Sequence, residues 1–165
     1  MEQRPLIEQI SRVEQLMLRV GWQEQRWFAQ DLRRFGLTAP QFFVLRFVAA
    51  CGQRCTMSTL ADATLLRCAT MTGIVGRLVR MGLVTRQRGE DDRRKVLVDL
   101  TASGREVLLQ VQSSRRMRLS GVLHRLSPRD ASELLRLLGV YLEAFSAQHR
   151  TEEPGALEPW GLAQF

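Results

Sequence analysis

The sequence predicts a mainly α fold with a small β-hairpin, α+β in class, on three observations. Apolar residues recur at helical spacing in two short stretches within residues 56–81, separated by a turn. The period then changes to alternation across residues 84–100, on either side of a loop too charged to be buried. Long amphipathic stretches flank this middle on both sides. The chain is therefore organised around a helix-turn-helix followed by a two-stranded hairpin with an arginine-rich tip.

Within that middle, Thr56 offers a hydroxyl N-cap, and Leu60, Ala61 and Thr64 or Leu65 give the first helix its inward positions. The second helix, residues 68–81, places Met71, Ile74, Val75, Leu78 and Val79 on one inward stripe and leaves Thr70, Thr72, Gly73 and Arg77 outward. Gly82 stops it. In the hairpin, Val84, Thr85, Arg86, Gln87 and Arg88 face residues 95–100 across the loop Gly89-Glu90-Asp91-Asp92-Arg93-Arg94.

Upstream, Leu6, Ile10, Val13, Met17, Val20 and Trp27 fall at alternating spacings of four and three, with Glu24 as the polar interruption, and predict one helix over residues 6–34. Its narrow, heptad-like stripe suits packing against other helices. Trp22, Phe28, Leu32 and Phe35 add a second apolar face before Gly36 ends the helix. Thr38-Ala39-Pro40-Gln41 reads as a capping box with proline in the first turn. The helix it opens is almost wholly apolar, through Phe42, Val44, Leu45, Phe47 and Val48, and ends near Gly52 as buried support for the two helices that follow.

Downstream, Thr101 caps a helix over residues 102–125 that carries Val107, Leu108, Val111, Leu119, Val122 and Leu123 and is interrupted by Arg115, Arg116 and Arg118. Ser127-Pro128-Arg129-Asp130 opens a last helix, with the stripe Leu134, Leu135, Leu138, Tyr141, Leu142 and Phe145. From Arg150 onward, Pro154, Gly155, Pro159 and several acids read as an irregular tail. The three long helices carry more apolar surface than a module of about sixty-five residues covers, so a symmetric homodimer is expected.

The net charge of +7 is unevenly spread. Residues 1–66 hold eight Arg against six acids, residues 67–95 eight Arg or Lys against three, and residues 96–165 eight against eight. A basic stripe of that kind attracts a polyanion, and the second helix with its hairpin has the shape of a DNA-reading module. No apolar run reaches membrane-spanning length, and the N-terminus lacks the apolar core of a signal peptide; a cytoplasmic protein without a membrane partner is expected. Three cysteines, Cys51, Cys55 and Cys68, do not suggest a disulfide framework. Cys51 and Cys55 are spaced C-x3-C without a second pair, which reads as small residues around a helix end; no metal and no cofactor are expected. Two separated histidines, no nucleophile motif and no glycine-rich phosphate loop leave an enzyme nothing to arrange.

The ordered set Leu37-Thr38-Ala39-Pro40-Gln41-Phe42-Phe43-Val44-Leu45, Leu60-Ala61, Met71-Thr72, Arg77-Leu78, Gly82-Leu83-Val84, and Asp92-Arg93-Arg94 running into Val98-Asp99-Leu100-Thr101-Ala102-Ser103-Gly104 resembles the MarR-type winged helix-turn-helix regulators. The resemblance implies a homodimer whose terminal helices form the interface, binding pseudo-palindromic double-stranded DNA operators. It also implies repression of nearby genes and release by a small, often aromatic, effector or an oxidant. The ligand-binding residues stay unassigned. On this reading residues 1–36 are an N-terminal dimerisation helix, 37–101 the winged helix-turn-helix, 102–149 C-terminal dimerisation helices and 150–165 the tail.

Carried over by position, Arg67, Cys68, Ala69, Thr70 and Thr72 stand at the start of the recognition helix, where side chains reach base edges in the major groove. Arg77 meets phosphate, and Arg88 and Arg93 contact the backbone. Arg94 matches the wing-tip arginine that enters the minor groove, and Asp92 the acid that braces it; Asp92 also reads as a simple turn former. The chain departs from the family pattern at Arg67, where a small capping residue is usual, and in placing Gly73 and Gly76 inside the recognition helix. Two other readings remain: a redox-responsive regulator using Cys68, whose thiolate Arg67 and the helix dipole favour, and a winged-helix protein-interaction module without operator specificity.

Overall fold

The computed structural model of the protein describes residues 3–52, 55–64, 67–89 and 95–149. Its elements are α1 (Gln3–Arg34), α2 (Ala39–Cys51), β1 (Cys55–Thr56), α3 (Met57–Thr64), α4 (Cys68–Arg80), β2 (Val84–Arg88), β3 (Val96–Leu100), α5 (Ala102–Leu123) and α6 (Pro128–His149). The chain divides into two compact units between Ala39 and Pro40. The expected contributions of Leu65, the loop tip with Asp92, Arg93 and Arg94, and the tail from Arg150 lie outside the described residues.

In the first unit α1 is one continuous helix, as the spacing of its apolar residues predicts. The stripe Leu6, Ile10, Val13, Met17 and Val20 is 47–63 % exposed, an open apolar face along the helix. Trp22 is exposed as well, with the Arg26 guanidinium 4.8 Å over its ring. Only toward its end does α1 bury residues, Asp31 and Leu32.

Two helices end in the same way. At α1, Gly36 takes φ 65°, its N–H bonds the Arg33 carbonyl and the Leu37 N–H bonds that of Leu32 at 3.0 Å. At α4, Gly82 takes φ 71°, its N–H bonds Val79 and the Leu83 N–H bonds Leu78 at 3.0 Å. These are Schellman caps, in which a residue without Cβ reverses the chain and the flanking apolar pair closes over it. Both pairs, Leu32 with Leu37 and Leu78 with Leu83, are buried.

The second unit is built on α2, whose Phe42, Val44, Leu45 and Val48 are buried together with Leu60 and Ala61 of α3 and Met71, Val75 and Leu78 of α4. Thr56 caps α3 as expected: its Oγ1 accepts from the Thr59 N–H at 3.1 Å. Thr101 Oγ1 accepts from the Gly104 N–H at 3.0 Å to cap α5, and Ser127 Oγ accepts from the Asp130 N–H at 3.1 Å to cap α6, with Pro128 as that helix's first residue. Along α5 and α6 most of the predicted stripe is exposed: Leu119, Val122, Leu123, Leu134, Leu135, Leu138, Tyr141, Leu142 and Phe145 all face outward, and Val111 is buried.

Two expectations change. The predicted hairpin of β2 and β3 forms, but the sheet has a third strand: β1 joins it in a three-stranded antiparallel sheet of order β1-β3-β2, Cys55 opposite Val98 and Thr56 opposite Leu97. Two residues are too short to show an alternating period, so β1 exists only through its pairing. Val79, expected inward, is 38 % exposed, because the stripe closes on Met71, Val75 and Leu78 and leaves that flank uncovered.

Candidate nucleic-acid interface

α4 and the β2–β3 hairpin follow one another across the Gly82 cap, so the cap decides how the second helix is presented beside the wing. Three hydrogen bonds of Thr101 hold that junction. The Thr101 N–H bonds the Leu83 carbonyl at 3.1 Å, the Thr101 hydroxyl donates to the Gly82 carbonyl at 2.7 Å, and the same oxygen caps α5. Gly104 sits so close that a Cβ there would run into the Leu83 carbonyl oxygen and lie 2.9 Å from Leu100 Cδ1.

α4 is two-sided. Met71, Val75 and Leu78 are fully buried, whereas Ala69, Thr70, Thr72, Gly73, Arg77 and Arg80 are exposed. Arg67 is exposed at the N-cap position, with extended backbone and no side-chain capping bond, and no acid stands in the first turn. The start of the helix therefore keeps its positive end open to solvent. Of Cys68 only the backbone is described, at the first residue of α4, and its thiol lies outside the described residues. Gly73 and Gly76 have nothing within 4 Å of a would-be Cβ, so neither is required by packing.

In the wing, β2 pairs β3 from Val84 opposite Leu100 to Arg88 opposite Val96. Arg86 and Arg88, two residues apart on one strand, project to the same side and are exposed; Lys95 is exposed where β3 begins. The Gly89 N–H bonds the Lys95 carbonyl at 2.9 Å and closes the base of the loop. Among the described residues no acid pairs with Arg77, Arg80, Arg86 or Arg88. Asp92, Arg93 and Arg94 lie outside the described residues.

The described structure thus brings Arg67, Ala69, Thr70, Thr72 and Arg77 onto one exposed helix and Arg88 onto the adjoining strand. Sequence reasoning did not single out Arg80, Arg86 and Lys95, which are exposed on the same helix and hairpin. The signal was available for Arg86, which shares a strand face with Arg88 by the period of two. It also passed over the Thr101–Gly82 bond and the reason for Gly104, neither of which any local pattern encodes. Among the described residues no group of three or more His, Cys, Asp or Glu could hold a metal ion, and no helix is long and apolar enough to cross a membrane.

Comparison with known proteins agrees with this geometry. The pattern of the MarR family matches residues 35–95. The HTH-type transcriptional repressor YetL of Bacillus subtilis is 29% identical over 112 residues, 67% of each chain. The HTH-type transcriptional repressor NicR of Pseudomonas putida is 40% identical over 73 residues, 42% of this chain and 46% of its own. Among solved structures, a MarR family protein from Bacillus stearothermophilus superimposes with a TM-score of 0.72 at 25% identity, covering 88% of this chain and 99% of its own. The S. aureus MepR–DNA complex does so with 0.67 at 21% identity, covering 80% and 98%, a likeness of fold. The two-sided α4 and β2 lie inside the matched stretch, so residues 35–95 carry the MarR family pattern on a winged helix-turn-helix fold.

Proposed function

We propose that the protein is a sequence-specific DNA-binding transcriptional regulator, a repressor that sits on a pseudo-palindromic operator as a homodimer in the cytoplasm. The observation that carries this reading is the two-sided α4: three fully buried apolar residues anchor it while its other face offers small and polar groups beside arginines that have no acid partner among the described residues. A helix so presented suits the major groove, and a basic wing suits the flanking backbone. In this reading Arg67, Cys68, Ala69, Thr70 and Thr72 meet base edges, Arg77, Arg88 and Arg93 meet phosphates, and Arg94, braced by Asp92, enters the minor groove. The two repressors named above and the DNA-bound MepR support the assignment by likeness.

The exposed apolar faces of α1, α5 and α6 support the homodimer, which presents its two recognition helices about 34 Å apart, one turn of the duplex. Release from DNA by a small aromatic ligand or an oxidant belongs to the same reading. The test is a salt titration of binding to one operator duplex and one scrambled duplex, with the parent, Arg94→Ala, Arg77→Ala and Arg125→Ala, a residue outside the reading surface. Arg94→Ala should lower operator affinity by about 1–3 kcal/mol, and Arg77→Ala should weaken both duplexes and flatten the salt slope by about 0.9. Arg125→Ala should change little. Equal weakening by all three variants on both duplexes would leave a generic basic protein, and tight operator binding by a monomer in sedimentation would remove the dimer.

A further inference from the structure

Residues 1–66 hold nearly balanced charge, yet along α1 the two signs are sorted by face. Arg12, Arg19, Arg26 and Arg33 recur every seven residues, and Gln15, Gln23 and Gln30 fill the helical positions between them. These seven side chains form one alternating row, and all seven are exposed. In helical projection the row is centred about 140° from the apolar stripe of Leu6, Ile10, Val13, Met17 and Val20. Glu14, Glu24 and Asp31 fall on the half of the helix that carries the stripe, and on the arginine side an acid, Glu8, stands only ahead of Arg12. An arginine-rich composition scatters arginines around a helix and does not sort them. Two of the guanidiniums are positioned by α1 itself: that of Arg26 lies 4.8 Å over the Trp22 ring, and Arg33 Nε donates to the Ala29 carbonyl at 3.3 Å. Among the described residues no acid pairs with any of the four.

We propose that this row of α1 is a second binding surface for double-stranded DNA, which grips the phosphate backbone without reading its sequence. Charge complementarity names the partner. A protein interface has an apolar core inside a polar rim, and this row has no apolar member. It offers instead guanidinium forks that match phosphate oxygens, with glutamine amides as further donors between them. A guanidinium stacked on a ring, as at Arg26, keeps its N–H edge for such an anion. Successive arginines stand about 10 Å apart and the row runs for about 31 Å, close to one turn of a duplex. The surface lies outside α4 and the wing, and the inference does not depend on α4 being the helix that meets the bases.

The test uses the full chain and a duplex of scrambled sequence. Arg12→Gln/Arg19→Gln/Arg26→Gln should weaken binding at least about ten-fold at low salt and flatten log affinity against log salt by about 2–3, at about 0.9 per phosphate contact. Arg116→Gln/Arg125→Gln/Arg129→Gln removes the same charge from other exposed sites and should do far less. Arg77→Ala should add its own loss in the parent and in the α1 variant, so a failure of α4 and a failure of α1 are read separately. In the parent the duplex should shield Arg19 and Arg26 from phenylglyoxal, a readout that needs no variant. Equal losses from the two triple variants, or labelling of those arginines at the same rate with and without the duplex, would overturn the proposal. So would binding of the parent to phosphatidylserine vesicles that the α1 variant abolishes while its duplex binding holds, an outcome that gives the row to a lipid surface.

Discussion

The Thr101 hydroxyl donates to the carbonyl oxygen of Gly82 at 2.7 Å while accepting from the Gly104 N–H at 3.0 Å. One side chain thus satisfies a carbonyl left over at the end of α4 and an amide left over at the start of α5. Thr101→Ala should destabilise the fold by about 1–2 kcal/mol, the usual worth of an N-cap with a second bond attached, and Thr101→Ser should keep most of it. Urea unfolding at fixed protein concentration measures both. If the two variants unfold at the same midpoint, the hydroxyl does not hold the junction.

Gly104 is fixed by the Leu83 carbonyl rather than by its own backbone conformation. Gly104→Ala is ordinarily a stabilising change within a helix, by up to about 1 kcal/mol. Here the added methyl collides with a backbone oxygen, and overpacking of that kind costs about 1–3 kcal/mol. The midpoint should fall, and a rise would show that α5 can move away from Leu83 at no cost.

Met71 and Val79 were expected on the same stripe of α4, but the first is fully buried and the second 38 % exposed. Met71→Ala should cost about 2–5 kcal/mol, the range for emptying a packed core site. Val79→Ala should stay within about 0.5 kcal/mol of the parent, as surface changes do. Thermal unfolding of the pair decides whether the uncovered flank of α4 is real. A large loss at Val79 would mean that another surface covers it.

Gly73 lies in the middle of the exposed face of α4, four residues from Ala69 and four from Arg77, whereas Gly76 is half-buried toward its edge. Both have room for a methyl, so each alanine variant should stabilise α4 by up to about 1 kcal/mol. Under the DNA-binding reading, Gly73→Ala should weaken operator binding several-fold despite the added stability, because the backbone at Gly73 approaches the duplex. Gly76→Ala should bind as the parent does. Equal operator affinity for Gly73→Ala and the parent would mean the glycine serves no close approach.

The sequence alone determined those parts whose causes are local. The extents of α1, α4 and α6, the caps at Thr56, Thr101 and Ser127 and the stops at Gly36 and Gly82 follow from spacing and from side chains that bond their own neighbouring backbone. The outward face of α4, with Thr70, Thr72, Gly73 and Arg77, follows from the same period. Tertiary structure decided what depends on residues far apart in the chain. Strand β1 exists because Cys55 and Thr56 find Val98 and Leu97, and two residues carry no period of their own. Ile74 and Val79 flank the buried stripe of α4 on opposite sides and are equivalent to any sequence pattern; packing half-buries the first and leaves the second open. Gly104 reads as a helix glycine until the Leu83 carbonyl stands against it. Local propensity is a property of a few consecutive residues, whereas contact, burial and pairing belong to the packed chain, so no local pattern announces them.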